Sequence, residues 1–126
     1  MIVVDSSVWI DFFRASNPVL GHQLQSLLDA DEVALAVPVR IEILSGASTR
    51  NLPSLKRVLS ALPLFYPTDE SWARIDTWVE IGLRSGERFG FGDLLIAAIA
   101  VDHQASVWSL DDDFHRMARL GWIDLH

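Results

Sequence analysis

The sequence predicts an α/β protein of three layers, in which a mostly parallel central sheet lies between helices. Two observations carry this. Residues 2–4, 33–37 and 106–110 are short, almost wholly apolar runs, the signature of strands buried on both faces. Between them lie longer segments with apolar residues at helical spacing, and alternation of strand with helix is the pattern of parallel crossovers. At 126 residues the chain is expected to form one domain, residues 1–126, that buries about two thirds of its unfolded surface.

The first strand ends at Asp5-Ser6-Ser7, and residues 8–14 have helical character, so Asp5 lies where a strand turns into a helix. Ligands of open α/β sheets bind beyond such carboxyl ends. The plainer role is a helix cap, for which Ser6 or Ser7 would serve equally well. A second helix over 18–30 starts behind Asn17-Pro18 and sets Leu20, Leu24, Leu27 and Leu28 on one face. The strand at 33–37 is expected to end at Pro38, and residues 39–45 to form a short helix closed by Gly46. Glu42 lies too deep in that helix to cap it. It is either an exposed residue paired with an arginine or a functional carboxylate.

Residues 51–62 and 68–85 read as amphipathic helices joined by a tight connection at 63–67. Leu55, Val58, Leu59 and Leu62 mark the apolar face of the first, and Trp72, Ile75, Val79 and Leu83 that of the second. Neither carries a convergent polar set, so both are assigned to packing or to a partner surface; five tryptophans fit an exposed apolar face. The glycine-rich stretch 86–92 lacks the P-loop ending and the GxGxxG spacing. It leads into the segment around which the chain is organised: Asp93, followed by an unbroken apolar run from Leu94 to Val101 that predicts a helix buried on all sides. Asp93 is a cap or an acid held at the edge of the core. The strand at 106–110 runs directly into Asp111-Asp112-Asp113, a solvated helix start on the plainest reading, and Trp122-Ile123 is expected to add a last short strand.

Absence of cysteine excludes disulfides and thiolate metal sites. The first residues lack the pattern of a signal peptide, and the apolar runs fall short of the ~20 residues that span a bilayer, so a cytoplasmic protein is expected. A net charge of −7, from 17 acids and 10 bases, argues at first against a nucleic-acid partner. Acids gathered in one site account for much of such an excess, however, and bound cations reverse its local sign. Lys56 is the only lysine among the bases; the rest are arginines, which grip phosphate or carboxylate bidentately.

Right-handed parallel crossovers place Asp5, Glu42, Asp93 and Asp111 on one edge of the sheet. Four carboxylates sharing a pocket repel one another unless a cation joins them, and an oxygen-only donor set selects Mg²⁺ or Mn²⁺ over zinc. Such ions suit phosphodiester hydrolysis by activated water. Ser7 and Ser109, each beside a candidate ligand, are placed to supply supporting hydrogen bonds.

The segments Val4-Asp5-Ser6-Ser7-Val8-Trp9-Ile10-Asp11, Glu42 to Gly46, Gly92-Asp93-Leu94-Leu95-Ile96-Ala97-Ala98 and Ser109-Leu110-Asp111-Asp112-Asp113-Phe114, in this order and spacing, resemble the PIN-domain family, more narrowly the VapC-type toxins. The resemblance implies a Mg²⁺- or Mn²⁺-dependent endoribonuclease with Asp5, Glu42, Asp93 and Asp111 at the acidic positions and Ser7 at the small polar one. Asp113 matches an often acidic site as well, and Asp112 has the weakest claim. It further implies a homodimer silenced by a small antitoxin whose arginine-bearing tail enters the acidic site, with RNA as substrate. Arg14, Arg40 and Arg88 lie nearest the site in sequence and are the candidates for phosphate contacts. The alternative is a catalytically silent PIN-like binding module. A phosphoacceptor receiver domain would need a late-strand lysine and a haloacid-dehalogenase type phosphatase an Asp-x-Asp start; neither is present.

Overall fold

The computed structural model describes residues 1–126. Its elements are β1 (Ile2–Val4), α1 (Ser6–Arg14), α2 (Pro18–Asp29), β2 (Val33–Ala36), α3 (Val37–Ser45), α4 (Leu52–Leu59), β3 (Leu64–Phe65), α5 (Asp69–Ser85), α6 (Phe91–Asp102), β4 (Ser106–Trp108) and α7 (Asp112–Arg119). The sheet has the order β3-β2-β1-β4, and every pairing is parallel. All residues of β1 and β2 are buried, which requires cover on both faces and gives the three-layer α/β/α arrangement. From β1 the chain moves to β2 and β3 on one side and returns at the end to β4 on the other. The strand order therefore reverses at the β1/β4 boundary, the place where open α/β sheets bind ligands.

Local chemistry sets the boundaries. Asn17 accepts a hydrogen bond from the Leu20 amide at 3.2 Å, with Pro18 in the first turn of α2. Thr68 and Ser71 form a capping box at the start of α5, whose other end closes on Gly86 at φ +74°. Pro38 lies inside the first turn of α3 rather than at the end of β2, because a missing N–H costs nothing at that position. The helix therefore begins at Val37 and the strand stops at Ala36.

Three further expectations are corrected. The connection at 63–67 contains β3, an edge strand too short to show a period. Trp122-Ile123 forms no strand; Gly121 turns the chain at φ +79°, Trp122 stacks face to face on Trp78 with centroids 5.0 Å apart, and the only later pairing is a single bridge from Val107 to Leu125. The buried side of α5 is Ser71, Ile75, Trp78 and Gly82, whereas Trp72, Val79 and Leu83 are exposed. Small residues let α5 approach closely: a Cβ on Gly82 would lie 2.7 Å from the Glu87 carbonyl oxygen, and Ser71 Oγ donates to Asp102 Oδ2 at 2.5 Å. Arg74 adds hydrogen bonds of 2.8 and 3.1 Å to Asp102 Oδ1, fixing α5 to the end of α6.

The core is one cluster of 26 buried residues in which α6 is central. Ile96, Ala97, Ala98, Ile99 and Ala100 are fully inaccessible, while Leu95 and Val101 are half-buried. Burial holds the start of α6, and with it Asp93, against the ends of the strands. No helix is long and apolar enough to cross a membrane.

Candidate active site

Asp5 follows β1 and is only 4 % exposed. Its amide donates to the Trp108 carbonyl at 2.8 Å, so the ladder between β1 and β4 carries it to the switch point. It precedes α1 but makes no side-chain capping bond. Its Oδ2 instead accepts from two hydroxyls, Ser7 Oγ and Ser109 Oγ, each at 2.8 Å. Those hydroxyls are themselves oriented by backbone amides, Leu110 N donating to Ser7 Oγ at 3.1 Å and Asp111 N to Ser109 Oγ at 2.9 Å. A hydroxyl that accepts from an amide must turn its proton elsewhere, and here both protons turn to Asp5.

Asp93, on the first turn of α6, meets Asp111 and Asp113 at the start of α7, with one carboxylate oxygen from each within 4.8 Å of the others. Asp111 also caps α7 through Oδ1, which accepts from the Asp113 amide at 2.9 Å. Both acids between which the sequence left the choice open are thus in the group, and Asp112 points outward, 78 % exposed. Glu42 is not one of the three. It is exposed on α3, and its Oε2 accepts from Ser6 Oγ at 2.9 Å, which ties it to the turn that carries Asp5. Ser6, considered in sequence only as a cap, is the residue that makes this link.

Crowding of negative charge is visible in Asp93. Burial first, then hydrogen bonding to Asp113 and the charges of Asp111, Asp5 and Asp113, push its pKa up to about 7 from the ordinary 3.8. Asp113 moves the other way, because Arg116 hydrogen-bonds its charged form. A group of oxygen donors too crowded to be fully ionised at neutral pH, with no His or Cys among them, fits a hard divalent cation that would displace the proton.

Arg116, which sequence reading passed over, donates from Nη2 to Asp113 Oδ1 at 2.7 Å and to the Arg88 carbonyl at 3.3 Å, pairs with Glu87, and lies 4.4 Å from the centre of the Phe89 ring. Its i,i+3 spacing from Asp113 on a helix was the available signal. Arg14 and Arg88 are exposed and Arg40 is half-buried; none of the three makes a salt bridge. Arg14 and Glu42 share the wall of a groove of about 570 Å³ between α1, α3 and α4, whose apolar lining includes Ile10, Phe13, Leu55 and Val58.

The profile of the PIN domain matches residues 2–120. A VapC ribonuclease of Mycobacterium bovis and ribonuclease VapC11 of Mycobacterium tuberculosis are each 34% identical over 129 aligned residues, covering 95% of this chain and 93% of theirs. Among solved structures, VapBC2 from Rickettsia felis bound to a promoter DNA fragment superimposes with a TM-score of 0.80 at 18% identity, covering 100% of this chain and 98% of that one. FitAcB from Neisseria gonorrhoeae gives 0.77 at 19% identity, covering 99% and 96%. At such identities the structural likeness speaks for the fold alone, and it is the same fold. Through the match over residues 2–120 and the identity to VapC ribonucleases, the chain belongs to the PIN-domain family.

Proposed function

We propose that this protein is a divalent-metal-dependent endoribonuclease and the toxin of a toxin–antitoxin pair. The observation that carries the reading is the convergence of Asp93, Asp111 and Asp113 beside a buried Asp5 at the switch point of the sheet. Asp5, Asp93, Asp111 and Asp113 would hold Mg²⁺ or Mn²⁺, with Glu42 at the margin. When bound, such an ion supplies a water of lowered pKa and stabilises the charge that develops on a phosphodiester. Ser7 and Ser109 keep Asp5 in one orientation, and Ser6 does the same for Glu42. Arg14, Arg40 and Arg88, free of internal ion pairs, are available to RNA phosphates around an otherwise acidic surface.

An antitoxin partner follows from the kinship with VapC and from the groove. An apolar segment fits against Ile10, Phe13, Leu55 and Val58, and the Glu42 end suits a basic side chain. A second copy of the chain is the occupant proposed for the exposed face of Trp72, Val79 and Leu83, where Trp72 stacks on the exposed Phe91 at 6.0 Å.

The test is calorimetric titration of Mn²⁺ into wild type and Asp5→Asn, followed by incubation of each with structured RNA. Binding lost in the variant, with cleavage abolished by chelator, supports the reading. A well-folded wild type that binds no Mn²⁺ even with RNA present would refute it.

A further inference from the structure

Arg116 is the one arginine pointed into the acidic site, and its geometry is that of a fixture. Both terminal nitrogens are engaged, Nη1 by Glu87 and Nη2 by Asp113 Oδ1 and the Arg88 carbonyl, and the guanidinium plane lies over Phe89. Phe89 packs edge-on against Trp122 at 5.4 Å, and Trp122 stacks on Trp78 of α5. The guanidinium is therefore seated on an aromatic column anchored in the core, with three of its four terminal N–H groups already engaged inside the protein. Its partners belong to two separate parts of the chain. Glu87, Arg88 and Phe89 form the loop that delivers α6 and hence Asp93, whereas Asp113 is on α7.

We propose that Arg116 is a positioning residue for the metal site: it fixes the Asp113 carboxylate through one oxygen, leaves the other for the ion, and joins the loop before Asp93 to the helix that bears Asp113. This rests on the metal-site reading above. A planar fork suits the task, since a lysine ammonium is a point charge that cannot hold Asp113 and Glu87 in two fixed directions while stacking on Phe89. Residues that orient metal ligands without touching the metal characteristically change affinity about 10–100-fold when removed.

The experiment is Mn²⁺ affinity by calorimetry and by the electron paramagnetic resonance signal of free Mn²⁺, without RNA, on wild type, Arg116→Gln, Arg116→Lys, Asp113→Asn and the double variant Arg116→Gln/Asp113→Asn. We expect Arg116→Gln to weaken binding at least 10-fold and Arg116→Lys to restore only part of it. If Arg116 acts through Asp113, then Arg116→Gln causes little further loss in the Asp113→Asn background, a coupling that general destabilisation would not produce. Equal or tighter Mn²⁺ binding by Arg116→Gln, or an undiminished loss in that background, overturns the proposal while leaving the metal site intact. Should Arg116→Gln fail to fold, Arg116→Lys and its double variant with Asp113→Asn decide by the same two comparisons. A wild type that binds no Mn²⁺ removes the metal site and the proposal together.

Discussion

Replacing Asp93 by asparagine should make the metal-free protein more stable at pH 8 while abolishing metal-dependent RNA cleavage. The folded-state pKa of about 7 lies above the ordinary 3.8, so folding tightens the hold on a proton. Stability from that proton is complete below about pH 4 and is lost as pH rises through about 7. Above that, ionised Asp93 opposes folding. The whole displacement corresponds to about 4 kcal/mol at 1.36 kcal/mol per pKa unit. Asp93 is only partly enclosed, so solvent screening reduces the figure to about 1–2 kcal/mol. Asparagine keeps the shape and does not titrate. For a domain of this size the expected gain in Tm is roughly 3–8 °C at pH 8 in chelator, shrinking toward zero at pH 4. Thermal unfolding from pH 4 to 8, with and without Mn²⁺, reads it directly: wild type should lose stability with rising pH and recover it with the ion, and the variant should do neither. A variant destabilised equally at every pH would mean that Asp93 serves the fold as a cap and that the acids do not crowd it.

Three further outcomes are expected. Gly82→Ala should cost about 1–3 kcal/mol in urea unfolding, because the new methyl meets the Glu87 carbonyl at 2.7 Å and a backbone must shift; an unchanged midpoint would contradict the close approach. Ser109→Ala removes a donor to Asp5 and an acceptor for the Asp111 amide, so Mn²⁺ affinity should fall about 10-fold and stability by about 1–3 kcal/mol, measured by titration and melting. Trp72→Glu should shift light-scattering mass from dimer to monomer while changing Tm little, since the side chain is 45 % exposed; a dimer that persists would move the interface elsewhere.

Those parts of the fold that depend on local pattern were legible. The continuous hydrophobicity of residues 2–4 reported burial on both faces, and that of 94–101 a helix buried along most of its length, with Leu95 and Val101 left half-buried. What periodicity cannot report is how near two backbones come. Ser71 and Gly82 are buried on α5 because α6 and the Glu87 loop press against them, and that displaces Trp72, Val79 and Leu83 to the surface although they are the more apolar set. Of the carboxylates proposed to hold the ion, Asp5, Asp93 and Asp111 stand out in the sequence by their places at strand and helix ends. Glu42 was identifiable as an anomaly, but that it stands outside the group of Asp93, Asp111 and Asp113 and accepts instead from Ser6 is decided only by the completed fold. Arg116 was half legible: Asp113 lies three residues away, whereas Glu87 and the Arg88 carbonyl lie 29 and 28 residues away and are brought near only by the completed fold.

The bond from Ser109 to Asp5 closes 104 residues of chain. Closing a loop of that length costs about 4 kcal/mol in the length-dependent part of its entropy alone, so the bond forms only when the intervening sheet and helices already hold its ends. Synthesis delivers Asp5 before Ser109, Asp111, Asp113 and Arg116. A chain made only as far as α6 thus has β1 and its acid in hand, yet lacks the Ser109 hydroxyl that holds that acid. Asp5 acquires its fixed orientation only once β4 has paired beside β1 and brought Ser109 to it.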